Sequence, residues 1–237
     1  MLLILILPMV MVSQESESFL LNMSEITVKY GHTVQFMEGV KSWKKCYKEN
    51  DGKEEWNMWR RVQGKGSVFT LTSAMLNWAE MDEDNDPASK ACRMNVVNSI
   101  RPHVESIEYN IARSMPDFSI AGLPDDTGLV WVYNAKVNNS TDFKDVIKQT
   151  SMAFKKAEDS PRGVWYGVIG GAPEVSDYFV AIPYKNFADL DKDRDNVWEV
   201  FEKVNGKKKT DELRAKLRAC VDSDWSYMYE LMTELSF

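Results

Sequence analysis

Apolar positions along the chain follow two alternating periods, and the pattern is written twice. Phe36, Val40, Trp43 and Tyr47 fall at i, i+4, i+7 and i+11, the stripe expected of one helix face. Phe143, Ile147, Thr150 and Phe154 repeat that spacing 107 positions later. Gly39 and Cys46 are answered by Val146 and Ala153, and the outward Lys41 and Lys48 by Lys148 and Lys155. Thr33 and Ser140 stand where N-caps are expected. The flanking segments alternate with the two-residue period of strands. Phe19 to Lys29 and Leu129 to Val137 precede the helices. A second strand follows each helix, with Trp59, Val62 and Gly64 matching Trp165, Val168 and Gly170. A third runs over Ser67 to Ser73 and Asp177 to Ile182. An acidic turn then leads into another helix, and Ile107, Tyr109 and Ile111 match Tyr227, Tyr229 and Leu231 on closing strands.

The order is βαββαβ, twice, which predicts an α+β fold with repeats over residues 19–120 and 125–237. The Pro-, Gly- and Asp-containing stretch from Met115 to Asp126 reads as the linker. Each unit would form a four-stranded antiparallel sheet with both helices on one face. Its strands carry large apolar side chains on both faces: Trp56, Met58 and Val62 on one, Trp59 on the other. The expected solution is two units packed sheet to sheet, each burying what the other cannot.

Residues Leu2 to Val12 are almost uniformly apolar, too short a run to span a bilayer, and lead into Ser13 and a polar stretch. This predicts a signal peptide over residues 1–18 and export, although no Lys or Arg precedes the apolar run. No cysteine follows it, so a lipid anchor is not expected. With 237 residues, 44% hydrophobic and 27% charged, the remainder can bury its own core. A net charge of −7 gives no electrostatic reason to bind nucleic acid. Three cysteines do not make a disulfide framework or show metal-ligand spacing: Cys46 reads as a small apolar residue on its helix, and Cys92 and Cys220 as candidate neighbours. Asn22 and Asn139 fit the glycosylation acceptor pattern, relevant only to a eukaryotic source.

The tandem order and the aromatic-rich second strand resemble the dimeric α/β-barrel superfamily of ferredoxin-like domains, most closely its antibiotic-biosynthesis-monooxygenase and NIPSNAP-type groups. The resemblance spans residues 19–237 and implies an internally paired barrel, with a further homodimer left open. It also implies a choice of chemistries, because the superfamily holds cofactor-free oxygenases, haem-degrading monooxygenases, chlorite dismutases and members without known activity. A haem member would carry an axial ligand, usually His, in the second repeat. The two histidines, His32 and His103, both lie in the first, so no cofactor is expected.

Polar residues inside otherwise apolar strands are the remaining candidates. Glu25 aligns with Val132, Arg61 with Gly167, and Glu108 and Asn110 with Met228 and Glu230. First and fourth strands of a unit are neighbours in this topology, so Glu25 would approach Glu108 or Asn110. A buried carboxylate beside Arg61 or Asn110 would suit proton transfer or the grip on a polar ligand; the same residues at strand ends would simply reach water. Trp59 and Trp165 could line an aromatic pocket or serve as plain core. Asp191, Asp193, Asp195 and Glu202, with Glu199 between, match the ligand spacing of a calcium loop, although Asn196 stands where glycine is usual. The competing reading is a helix N-terminus stabilised by acidic residues. Three functions follow: an exported binder of a small apolar or amphipathic molecule, a cofactor-free oxygenase or isomerase, or an interaction protein with a filled barrel.

Overall fold

A computed structural model describes residues 17–82 and 86–237. The apolar run Leu2–Val12 and Ser13 lie outside them. Eight antiparallel strands close into a barrel in the order β1-β3-β2-β8-β5-β7-β6-β4. They are β1 (Leu20–Val28), β2 (Asn57–Arg61), β3 (Ser67–Met75), β4 (Val104–Ser114), β5 (Leu129–Val137), β6 (Val164–Val168), β7 (Tyr178–Tyr184) and β8 (Val221–Leu231). Each half contributes four consecutive strands. The halves meet edge to edge, through β2–β8 and β4–β6, rather than as stacked sheets. Edge pairing satisfies backbone groups that stacked sheets would leave open, and it still turns the inner faces toward each other across a lumen.

Helices cover the outside. α1 (Thr33–Glu49) buries Phe36, Val40 and Tyr47, and α4 (Ser140–Glu158) buries Phe143, Val146, Ile147 and Ala153, as the stripes predict. The caps differ from expectation. Asn139 accepts from the amides of Thr141 and Asp142, while His32 occupies the N-cap of α1 without a side-chain cap bond. The second helix of the first half is broken into α2 (Pro87–Ala91), α3 (Arg93–Asn95) and a π-helical turn over Val96–Ile100. Its counterpart is longer and regular: α5 (Val197–Asn205) and α6 (Lys207–Cys220), separated at Gly206, whose φ of +83° suits a residue without Cβ.

The broken segment is held by a disulfide between Cys46 of α1 and Cys92, whose Cα atoms are 5.8 Å apart. This corrects both cysteine expectations, because Cys220 is the free one and is buried at the end of α6, against Phe143, Ile147 and Tyr178. Gly39 lets the π turn approach; a Cβ there would meet the Ser99 carbonyl oxygen at 2.0 Å. Residues beyond β8 return to the first half, where Met232 and Leu235 join Phe36, Val40, Met58 and Phe69 in one core. Trp56 and Phe237 exchange backbone hydrogen bonds and stack at 4.9 Å.

The acidic turn does not gather into a metal site. Among the described residues no three His, Cys, Asp or Glu side chains converge on a point that could hold an ion. Asp195 is paired with Lys203, and Asn196 and Glu199 form the capping box of α5. Asp191, Asp193, Asp195 and Glu202 are thus not gathered as the calcium-loop expectation requires, and Asn196 and Glu199 serve to initiate α5. Among the described residues no helix is long and apolar enough to cross a membrane.

Candidate functional site

The lumen holds a cavity of about 750 Å³, within the range of small-molecule sites. Alternation along each strand decides which side chains enter it. From the first half come Glu25 on β1, Trp59 and Arg61 on β2, Thr70 and Thr72 on β3, and Glu108 and Asn110 on β4. From the second come Val132 on β5, Tyr166 on β6, Phe179 on β7, and Trp225, Tyr227 and Tyr229 on β8. The first half thus supplies Glu25, Arg61, Glu108 and Asn110 beside apolar Leu21, Met23 and Trp59, and the second half is mainly apolar and aromatic, with Asn134 and Glu174 among its lining.

The polar residues of the first half have a defined geometry. β1 and β4 pair directly, with Glu25 opposite Glu108. Arg61 Nη1 lies 3.9 Å from Glu25 Oε1, and Asn110 Nδ2 donates to Glu108 Oε1 at 3.2 Å. The Arg61 side chain is 9% exposed, its guanidinium 4.6 Å from the Tyr227 ring centre and donating to the Lys65 carbonyl. Arg61 Nε has no hydrogen-bond partner. Burial pushes the Glu25 carboxyl up, Arg61 opposes this, and Glu108 adds to it. Burial likewise raises the Tyr166 and Tyr229 hydroxyls, Tyr229 with help from Glu25. From the second half Tyr166 and Phe179 stack at 4.8 Å, and within the first half Trp59 Nε1 donates to Thr72 Oγ1 at 3.1 Å.

Five of the seven candidate lining residues, Glu25, Trp59, Arg61, Glu108 and Asn110, are brought together here. Two are not. Trp165 faces the other way, edge-on to Phe143 of α4, and Glu230 is outside, ion-paired with Arg60 at 2.5 Å. The cause is a register slip. Trp59 stands opposite Thr70 and Tyr166 opposite Phe179, and both lie inside, so Tyr166 and not Trp165 is the counterpart of Trp59. The closing strands slip too, and Tyr227 and Tyr229 point inward where Ile107 and Tyr109 are exposed. In a strand, one position exchanges the two faces. Tyr166, Phe179 and Trp225 were missed for this reason; the strict inward alternation of Trp225, Tyr227 and Tyr229 was the available signal.

The lumen offers no histidine as an axial ligand for haem. Neither histidine lines the lumen; His32 Nδ1 and His103 Nδ1 lie 2.9 Å apart and bond to each other at the start of α1. Between sheet and helices in the second half the space is filled by Phe143, Ile147, Tyr178 and Trp165.

No family model and no curated protein matches the sequence. Solved structures do. A candidate monooxygenase from Lactobacillus acidophilus is 10% identical, with a TM-score of 0.55 over 93% of this chain and 99% of its own. A candidate monooxygenase from Fusobacterium nucleatum is 12% identical, with a TM-score of 0.53 over 91% and 93%. A chlorite dismutase variant from Candidatus Nitrospira defluvii is 9% identical, with a TM-score of 0.53 over 93% of each chain. At these identities the similarity is one of fold: the chain shares the eight-stranded α+β barrel of monooxygenase-like and chlorite-dismutase-like proteins.

Proposed function

We propose that this is an exported protein, built from a tandem ferredoxin-like repeat, that binds a small amphipathic molecule inside its barrel. The observation that carries the reading is a lumen of about 750 Å³ in which Glu25, Arg61, Glu108 and Asn110 stand among apolar and aromatic side chains. A cavity of that size argues against a filled barrel serving only as an interaction scaffold. Export is supported by the Cys46–Cys92 disulfide, since such bonds persist in oxidising compartments, together with the apolar leader sequence. The exposed Ile107, Tyr109 and Ile169 support self-association into a homodimer. Native mass spectrometry of the purified chain should reveal a co-purifying small molecule, absent from Val132→Trp, which fills the lumen. A ligand-free mass for the wild-type chain, with no change in tryptophan emission on adding an organic extract of the producing cells, would overturn the reading.

A second reading is cofactor-free oxygenase or isomerase chemistry, as in the antibiotic-biosynthesis-monooxygenase group that the sequence resembles. It is favoured by one observation, the Glu25 carboxyl set in the cavity wall opposite Glu108, where burial raises its pKa and favours its taking up a proton. Turnover of a bound molecule that is abolished by Glu25→Gln while binding survives would support it.

A further inference from the structure

The lumen carries more negative charge than its own residues neutralise. Four carboxylates line it, the part-buried Glu25 and the solvent-exposed Glu55, Glu108 and Glu174, against one cation among the described residues, Arg61. That cation is stacked on Tyr227 and bonded to the Lys65 carbonyl, its Nε unpaired among the described residues, and it comes no nearer than 3.9 Å to Glu25. Glu108 has only the amide of Asn110. Like charges directly opposite on paired strands are destabilising, yet Glu25 and Glu108 occupy such positions. Either carboxylate facing outward would avoid the repulsion; both line the lumen, which the aromatic side chains of Trp225 and Tyr229 also line, while Tyr227 is taken by Arg61.

We propose that the lumen selects a hydrophobic organic cation, an amine or quaternary ammonium, whose charged end sits between Glu25 and Glu108 while its apolar body lies against the aromatic side chains. This rests on the lumen being a binding site. The cation relieves the carboxylate repulsion and takes the hydrogen-bonding capacity that Asn110 leaves on Glu108. Arg61 stays 3.9 Å from Glu25, with its guanidinium held over Tyr227 and on the Lys65 carbonyl, so Glu25 keeps an oxygen for the guest.

Three probes of one shape separate the alternatives by calorimetry: 2-(1-naphthyl)ethylamine, 2-(1-naphthyl)ethanol and 1-naphthylacetate. The amine should bind about tenfold or more tighter than the alcohol, the size expected when a charged group gains a hydrogen-bonded ionic partner out of bulk water, and the acid most weakly. Glu108→Gln, nearly isosteric and free of the like-charge clash, should remove most of that preference without changing affinity for the alcohol; Glu25→Gln should do the same. Equal affinity for amine and alcohol, tighter binding of the acid, or an undiminished amine preference in both variants would overturn the proposal. If none of the probes binds while another molecule still co-purifies, selection for a cation is refuted and the binding site stands. If nothing co-purifies either, both fall.

Discussion

Removing the Cys46–Cys92 bond by the double substitution Cys46→Ala, Cys92→Ala should lower stability by an amount set mainly by the loop it closes. The two cysteines are 46 positions apart. On the chain-entropy argument, closing a loop of that length removes about 4 kcal/mol of freedom from the unfolded chain at 25 °C. For a domain of this size each kcal/mol moves the midpoint by roughly 2–4 °C, so Tm should fall by roughly 8–16 °C. The loss should have a location. α1 packs on β1 and β3 through Phe36 and Val40, whereas the segment from Pro87 to Ile100 is a chain of short turns. Amide exchange should therefore accelerate first between residues 87 and 100. Calorimetric melts of both proteins without reductant, a thiol count in denaturant and hydrogen-exchange mass spectrometry together make the test. The wild-type chain should show one titratable thiol, Cys220. Three thiols, or a midpoint changed by less than about 2 °C, would refute the reasoning, because either would mean that the crosslink or its loop contributes nothing.

Three further outcomes follow. Glu25 has a folded-state pKa raised above its ordinary 4.5, so the folded state binds more protons than the unfolded one, and this contribution is full below about pH 4.5 and lost as pH rises through the raised value; the difference in Tm between wild type and Glu25→Gln, followed across that window, should change accordingly, and a constant difference would contradict it. Trp165→Phe should leave ligand binding unchanged while Tyr166→Ala weakens it about tenfold, measured by calorimetry with whatever molecule co-purifies; the reverse ranking would restore the repeat alignment read from sequence. Gly39→Ala should destabilise by about 1–3 kcal/mol in denaturant melts, since its Cβ meets backbone at Ser99 and not a movable side chain.

What could be read from the sequence divides along physical lines. The stripes of α1 and α4 were legible because a helix face repeats every 3.6 residues, and a misplacement by one leaves most of the stripe recognisable. The limits of β5 were legible too, and β1 and β3 fell within a residue or two. Strand register was not, because a shift of one residue preserves composition and reverses every side chain. Trp165 resembles Trp59 in identity and flanks, but hydrogen bonding fixes Tyr166 as the inward residue. The closing strands are harder still, since both bear a bulge, opposite Thr27/Val28 and opposite Lys136/Val137, that adds a residue to any count. Glu25 and Glu108 were nevertheless found, because a carboxylate amid apolar alternation marks itself whatever the register of its repeat. The disulfide escaped notice because the segment before Cys92 has no periodicity to place it over α1.

The return of residues 232–237 to the first half sets an order on synthesis. Phe36, Val40, Met58 and Phe69 emerge from the ribosome early, but the Met232 and Leu235 side chains that complete their packing, and the Phe237 backbone that pairs with Trp56, come some 160 to 200 residues later. The amino-terminal half therefore waits with its apolar surface incompletely covered until translation has passed the last strand. A holding chaperone would find its footing on that surface until the last strand is made.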